Sequence, residues 1–194
     1  MMLLEKISKS FDQNHIFSDF SLSINDNDHV AIIGSSGKGK TTLLRIIAFL
    51  ETIDGGTLNG WTPNDISFSF QESRLFPHLT VLDNVACGSD LPIKQARKKA
   101  ADLLKLVKLS DSAHLYPAEL SGGMSQRVSL ARAMIRNRRI LLLDEPFSAL
   151  DQDTKNEMIQ IIQNYTKDKT LILVSHDMND VEKLTSIQID LNEI

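Results

Sequence analysis

Residues 34–41, with the sequence GSSGKGKT, have the composition and spacing of a phosphate-binding loop. Glycines let the backbone approach phosphate oxygens closely, and the N–H groups of such a loop point towards the anion. The ammonium of Lys40 suits the terminal phosphates of a nucleoside triphosphate, and the hydroxyl of Thr41 suits Mg²⁺. The residues predicted to bind the nucleotide here are Gly34, Ser35, Ser36, Gly37, Lys38, Gly39, Lys40, Thr41 and Thr42.

Two carboxylates, Asp144 and Glu145, follow an apolar run of strand length at residues 140–143. An aspartate at a strand end beside a phosphate loop completes a Mg²⁺ site, which makes Asp144 a predicted metal ligand with Thr41. The side chain of Glu145 points in a different direction, so it can polarise an attacking water as a general base. A surface acidic pair or a helix N-cap is the alternative interpretation, and the following Pro146 is compatible with it.

A second candidate anion site is the SGG segment, which consists of Ser121, Gly122 and Gly123. The two glycines stand at a predicted helix start, directly after a serine of the type that caps helices. A helix N-terminus offers free N–H groups and a partial positive charge to an anion. The chain therefore carries two predicted phosphate-binding ends that are distant in sequence.

Further short motifs complete an ordered set along the chain. They are KSFD with Phe11, SFQE with Gln71, SALD with Asp151 and SHD with His176. With the phosphate loop, the SGG segment and the acidic pair, this order closely resembles the ATP-binding subunits of ABC transporters over nearly the whole chain. The SGG segment is similar to the signature motif of that family, usually written LSGGQ, with Met124 in place of the glutamine.

The resemblance implies a head-to-tail dimer, of two copies or with a related subunit, that forms on ATP binding. Each ATP would lie between the phosphate loop of one chain and the SGG segment of the other. Phe11 would stack on adenine, while Gln71 would contact Mg²⁺ and the attacking water. His176 would contact the γ-phosphate, Asp151 would bridge the dimer, and Glu145 would be the catalytic base. The implied partners are an integral membrane permease and an external substrate-binding protein.

The segments QESRLFP and LTVLDNV, together with SGGM and DEPF, resemble bacterial importer ATPases of the nitrate, sulfonate and taurine group. This resemblance implies a motor subunit that hydrolyses ATP to power import, with substrate selectivity residing in other subunits. An ABC-type ATPase of an exporter, of lipid extraction or of a cell-envelope regulatory complex would carry the same motifs and is the alternative. A DNA-repair or translation ATPase of the superfamily needs coiled-coil insertions or paired domains, for which 194 residues leave no room.

The elements that must position these residues are those of an α/β fold. An apolar strand at residues 30–33 precedes the phosphate loop, and residues 42–50 form a predicted helix with one apolar face. From residue 121 onwards helices and strands alternate, which is typical of a mostly parallel sheet. We expect an α/β P-loop NTPase with a mostly parallel sheet core, a reduced N-terminal antiparallel β lobe and an inserted α-helical lobe. Residues 1–194 would form one domain, with the core and β lobe at 1–71 and 138–194 and the helical lobe at 72–137.

Composition sets limits on the partners and the compartment. The formal net charge of −4 disfavours nucleic acid as a partner, because such binding needs many contacts from lysine and arginine to phosphate. A single cysteine, Cys87, excludes an intramolecular disulfide and fits the cytoplasm. No apolar run approaches the about 20 residues that a bilayer requires. We expect a cytoplasmic protein that the permease holds at the inner face of the cell membrane.

Three features depart from the usual family pattern. Lys38 places a second cation in the phosphate loop, where we favour a solvent-facing side chain over a phosphate contact. The segment between Lys40 and Gln71 is short, which predicts the reduced β lobe. Few residues follow His176, so we expect a curtailed C-terminal extension without a regulatory domain.

Overall fold

The computed structural model describes residues 1–193. In chain order the strands and helices are β1 (Met2–Phe11), β2 (Asn14–Ile24), β3 (His29–Ile33), α1 (Lys40–Ile47), β4 (Gly55–Asn59), β5 (Ile66–Ser69), α2 (Val81–Ala86), α3 (Ile93–Leu106), α4 (Gly122–Ile135), β6 (Ile140–Asp144), α5 (Gln152–Thr166), β7 (Thr170–Val174), α6 (Met178–Leu184) and β8 (Ile187–Asp190).

A parallel sheet with the strand order β5-β6-β7-β3-β8 forms the centre of the fold. Every residue of β6 and β7 is buried, as expected for strands covered on both faces. Alternate residues of β6 enter different cores: Leu142 packs with α1, whereas Leu141 and Leu143 pack with α4 and α5. The carboxyl ends of β3 and β6 share one edge of the sheet, and this brings the phosphate loop next to the acidic pair.

The expected small antiparallel sheet is confirmed, with the strand order β2-β1-β4. It covers α1, whose Leu43, Ile46 and Ile47 share one core with residues of both sheets. The indole N–H of Trp61 donates to the carbonyl oxygen of Ile47 at 2.7 Å, which satisfies one acceptor at the end of the helix. The helix that follows the phosphate loop is therefore held by packing against the antiparallel sheet and by the hydrogen bond from Trp61.

Helices α2, α3 and α4 follow β5 and precede β6, and they share one buried core. Asn84 of α2 is fully buried, and its side chain accepts from the N–H of Phe76 and donates to three carbonyl oxygens, those of Phe76, Leu79 and Thr80. This amide holds the segment after Gln71 against the helices. The lobe boundaries at residues 72 and 137 stay a prediction. Within the described chain, no helix has both the length and the apolar character needed to cross a membrane.

Two elements differ from the sequence-based expectation. The helix predicted over residues 42–50 is observed as α1, which begins at Lys40 directly after Gly39 with φ 87°. It ends early because Phe49 adopts φ 58°, a left-handed conformation that a helix cannot continue. Strand β8 was not predicted, because its apolar and polar residues alternate over only four positions, yet it pairs with β3 along the sheet edge.

Candidate functional site

An open cavity of about 350 Å³ lies at the carboxyl edge of the parallel sheet. It is lined by residues from the phosphate loop, from the strand ends and from the antiparallel sheet. Its lining residues are Phe11, Ile16, Ser36, Gly37, Gly39, Lys40, Thr41, Thr42, Gln71, Asp144, Glu145, Val174 and His176. The structure thus brings together most of the predicted catalytic, nucleotide-binding and metal-binding residues, although they come from distant parts of the sequence.

The phosphate loop is compact and holds its lysine in place. The Lys40 side-chain ammonium donates to the carbonyl oxygens of Gly34 at 2.7 Å and Ser35 at 2.9 Å, and the residue is only 7% exposed. Gly39 has φ 87°, and an added Cβ would lie 2.5 Å from Cγ2 of Ile16. This position therefore requires glycine both for its conformation and for its space.

Asp144 and Thr41 place two oxygen donors side by side at the floor of the cavity. The Thr41 hydroxyl donates to Oδ1 of Asp144 at 3.4 Å, and Asp144 is 2% exposed. Burial raises the pKa of Asp144 above its ordinary value, while the Thr41 hydrogen bond acts in the opposite direction. A buried carboxylate beside a hydroxyl matches the hard oxygen ligands that Mg²⁺ prefers.

Glu145 faces the cavity beside His176. Its Oε1 lies 3.2 Å from Nε2 of His176, and its backbone N–H donates to the carbonyl oxygen of Val174 at 2.9 Å. Glu145 has φ 46°, a sparsely populated conformation for a residue with a side chain. The backbone turns sharply here, immediately after β6, and this separates the Glu145 carboxylate from that of Asp144.

Gln126 is a supporting residue that the sequence did not reveal. Its side-chain amide donates to the carbonyl oxygen of Glu145 at 2.9 Å and to the Ser148 hydroxyl at 3.0 Å. Its amide oxygen accepts from the backbone N–H of Ala149 at 3.0 Å. These hydrogen bonds attach the turn that contains Glu145 to helix α4. Gln126 lies four residues after Gly122, but no sequence signal indicates that its side chain turns inward.

Burial raises the pKa of Glu145, and the electrostatic interaction with His176 acts in the opposite direction. A raised pKa means that the carboxyl group is protonated at a higher pH than an ordinary glutamate, and a protonated base cannot accept a proton. If Glu145 is the general base that the family resemblance implies, kcat for ATP hydrolysis should fall on acidification, with a midpoint above the ordinary glutamate value of 4.5. A pH profile at saturating MgATP measures this midpoint, and an acid limb at or below the ordinary value would contradict the burial argument.

The SGG segment and Asp151 are outside the cavity, although they were predicted to serve a nucleotide. The Ser121 hydroxyl accepts from the N–H of Met124 at 3.2 Å and so caps α4. Asp151 caps α5 by accepting from the N–H of Thr154 at 3.0 Å, and this hydrogen bond lowers its pKa. Neither residue lines the same cavity as the phosphate loop of its own chain.

Three phosphate-loop residues lie on the outer side of the loop. Both the N–H and the hydroxyl of Ser35 donate to Oδ1 of Asn192, at 3.1 and 2.8 Å, so the turn after β8 fixes this end of the loop. Gly34 adjoins Leu191 of the same turn. Lys38 is exposed and lines a neighbouring cavity with Asn14. Direct contact of these residues with nucleotide stays a prediction.

The family model described as ABC transporter matches residues 17–148. The chain is 42% identical over 190 residues to the thiamine import ATP-binding protein of Histophilus somni, covering 91% of this chain and 89% of that protein. It is 42% identical over 176 residues to the aliphatic sulfonates import ATP-binding protein of Bacillus subtilis, covering 87% of this chain and 69% of that protein. Among solved structures, a dimeric ATP-binding cassette in a post-hydrolysis state with ADP and Pi superposes with a TM-score of 0.89 at 30% identity, covering 98% of this chain and 94% of that one.

Proposed function

Because the chain belongs to the ABC transporter family as an ATP-binding subunit, we propose that it works as a head-to-tail dimer that hydrolyses MgATP to power import through a separate membrane permease. The matched import ATP-binding proteins favour import over the alternatives of export, lipid extraction or cell-envelope regulation. An external substrate-binding protein completes the proposed assembly. The resemblance to the sulfonate group agrees with one of these relatives, the aliphatic sulfonates import ATP-binding protein.

The dimer proposal rests on one observation: the two segments predicted to bind anions, the phosphate loop and the SGG segment, do not line the same cavity within one chain. The phosphate loop lines the cavity, whereas the SGG segment caps a helix outside it. A second copy placed head to tail can bring its SGG segment over the γ-phosphate held by the first phosphate loop. The free N–H groups and the partial positive charge at the start of α4 then stabilise that phosphate. Asp151 lies at the end of the loop that follows Glu145, and we propose that it contacts the partner at the same dimer interface.

The residues at the cavity floor fit a bound Mg²⁺. Thr41 and Asp144 supply oxygen donors, and Gln71 lines the same cavity. Among the described residues there is no cluster of three or more His, Cys, Asp or Glu side chains that could hold a metal by itself. Mg²⁺ sites in nucleotide-binding proteins use one or two protein carboxylates and take other ligands from phosphates and water. When bound, Mg²⁺ neutralises charge on the phosphates during transfer.

The chain's own residues divide the remaining work of hydrolysis. Lys40 leaves its loop carbonyls to bind the β- and γ-phosphates, and Phe11 stacks on adenine. Glu145 accepts a proton from water as the water oxygen bonds to the γ-phosphorus, and the bond from that phosphorus to the ADP oxygen breaks. His176, 3.2 Å from Glu145, orients the carboxylate and contacts the γ-phosphate. Products are ADP and inorganic phosphate.

The proposed permease contact is an open cavity of about 510 Å³ on another side of the molecule. Phe68, Phe70 and Phe76 contribute its apolar surface, and Arg74 and Arg132 line it as well. Arg132 donates to the carbonyl oxygens of Ser73 and Arg74, which fixes the segment after Gln71 to α4. A permease loop seated here would be linked through residues 70–74 to the nucleotide cavity.

Gly122→Asp tests the head-to-tail site. An added Cβ at Gly122 meets only Cβ of Ala149 at 3.5 Å, an ordinary contact, and an acidic residue in the first turn favours helix formation. The carboxylate should therefore preserve the fold but repel the γ-phosphate of the partner. We expect ATPase activity to fall by about 100-fold and MgATP-dependent dimerisation to be lost, while MgATP binding to the monomer is retained.

The matched control is Gly122→Asn, which has the same size without the charge and should be impaired far less. ATPase rates, light scattering with MgATP and calorimetric binding to the monomer distinguish the outcomes. Undiminished ATPase activity in Gly122→Asp would refute the proposed role of the SGG segment. Loss of MgATP binding by the monomer itself would place the segment in the site of its own chain instead.

A further inference from the structure

Lys9 is a buried cation that lies against the ring of Phe11. The residue is 5% exposed, and its ammonium nitrogen lies 4.7 Å from the centroid of the Phe11 ring. The same nitrogen is 2.7 Å from Oε1 of Glu51 and 3.9 Å from Oδ1 of Asp54. Burying an ammonium is costly unless it is paired, and here both carboxylates and the aromatic face offset that cost.

Phe11 lines the nucleotide cavity and is 43% exposed, whereas Lys9 does not line that cavity. A purine that enters the cavity can therefore stack on the exposed part of the ring without meeting Lys9.

The partners of Lys9 connect the ring to the helix that carries the phosphate loop. Glu51 follows the end of α1, and its N–H donates to the carbonyl oxygen of Arg45 in that helix at 3.3 Å. Asp54 accepts from the N–H of Ser10 at 2.7 Å, which ties it to the strand that ends at Phe11. Through Lys9 the aromatic ring thus has a fixed position relative to the helix that begins at Lys40.

We propose that Lys9 is a positioning residue for the adenine base: its ammonium, held by Glu51, orients the Phe11 ring and strengthens stacking on its exposed part. This inference rests on the proposed stacking of adenine on Phe11. A cation over an aromatic face is attracted by the negative charge of that face, so it restrains the tilt of the ring and draws electron density towards itself. Lys9 touches no phosphate-binding residue of the cavity, and its effect is confined to ligands that carry a base.

The test compares MgATP with inorganic tripolyphosphate and Mg²⁺, because the second ligand has the phosphates but no base. Lys9→Met should weaken MgATP binding by about fivefold and leave tripolyphosphate binding unchanged. Lys9→Arg keeps a cation over the ring and should restore most of the MgATP affinity. Equal losses for both ligands would show a purely structural role and overturn the proposal, as would unchanged MgATP affinity in Lys9→Met.

Removal of Lys9 alone leaves Glu51 without its nearest cation, so the double variant Lys9→Met/Glu51→Gln provides a neutral pair. This double variant should fold, as checked by thermal unfolding, and should show the same selective loss of MgATP affinity. Wild-type affinity in this variant overturns the proposal.

The variant Phe11→Ala distinguishes a failure of base stacking from a failure of the role of Lys9. If Phe11→Ala does not weaken MgATP selectively, base stacking and the role of Lys9 both fail. If Phe11→Ala has the selective effect and Lys9→Met does not, only the role of Lys9 fails.

Discussion

Replacement of Glu145 by glutamine is expected to lower kcat for ATP hydrolysis by about 10²- to 10⁴-fold, the usual contribution of a general base. Glutamine has nearly the same shape and keeps the contact surface with His176, but it cannot accept a proton from the attacking water. The affinity for MgATP should change little, because Glu145 acts on water and not on the phosphates. Since hydrolysis is what would separate the dimer, the variant should also accumulate as an MgATP-bound dimer. Steady-state ATPase rates and light scattering measure the two effects.

The control for Glu145→Gln is Glu182→Gln, which removes an exposed carboxylate on α6 outside the cavity. Its kcat and oligomeric state should match those of the wild-type protein. The unusual backbone at residue 145, with φ 46°, is equally demanding for glutamate and glutamine, so the substitution adds no backbone strain. Hydrolysis by Glu145→Gln at the wild-type rate would contradict the assignment of the base.

Replacement of Lys40 by methionine is expected to weaken MgATP binding itself, by about 30- to 1,000-fold, or about 2–4 kcal/mol. Methionine fills the space of the alkyl chain, but it supplies no positive charge and no hydrogen bonds to phosphate oxygens. In the absence of nucleotide the Lys40 ammonium rests on the carbonyl oxygens of Gly34 and Ser35, so the variant also loses two contacts within the loop. Isothermal calorimetry with MgATP measures the loss, and thermal unfolding without nucleotide measures the cost to the fold.

Lys94→Met is the matched control, because Lys94 is an exposed lysine in the first turn of α3 and does not line the nucleotide cavity. It removes the same charge from the chain and should not change MgATP affinity. Wild-type affinity in Lys40→Met would mean that residues 34–41 do not bind the terminal phosphates.

Local features of the sequence identified the parts of the site that local chemistry determines. The phosphate loop is contiguous, so its glycine spacing and the lysine at its end are visible without any tertiary contact. The SGG segment is recognisable for the same reason, because a capping serine and two glycines mark a helix start that begins at Gly122. The adjacent Asp144 and Glu145 follow a fully apolar strand, and their order alone assigned them to the carboxyl edge of a sheet.

Contacts between distant segments were not accessible from the sequence. Gln126 supports Glu145 only because α4 packs beside the end of β6, and the type of residue gives no hint of this role. Strand β8 alternates apolar and polar residues over only four positions, which is too short to identify a strand, and its pairing with β3 establishes it. From the sequence, Lys9 is indistinguishable from a surface lysine in an alternating strand. Its ammonium is nevertheless buried, because it forms an ion pair with Glu51 from the segment after α1. In each case tertiary packing decides the outcome.

The structure also shows supporting contacts for some phosphate-loop residues. Ser35 was grouped with the nucleotide ligands because of its place in the loop, but its N–H and hydroxyl are both engaged by Asn192. The pattern of a motif specifies the path of the backbone, and it does not specify which side chains face the ligand. Ser36 lines the cavity, whereas Ser35 does not.

The most direct test of the composite site is to mix Lys40→Met chains with Gly122→Asp chains and measure ATPase activity. In a head-to-tail dimer of one chain of each kind, the intact phosphate loop of the second faces the intact SGG segment of the first, so one site is complete. Only this mixed dimer contains a complete site, because each homodimer carries the same defect in both of its sites. The expected result is an activity of the mixture well above the sum of the two variants measured separately. An activity equal to that sum would contradict a site built from two chains.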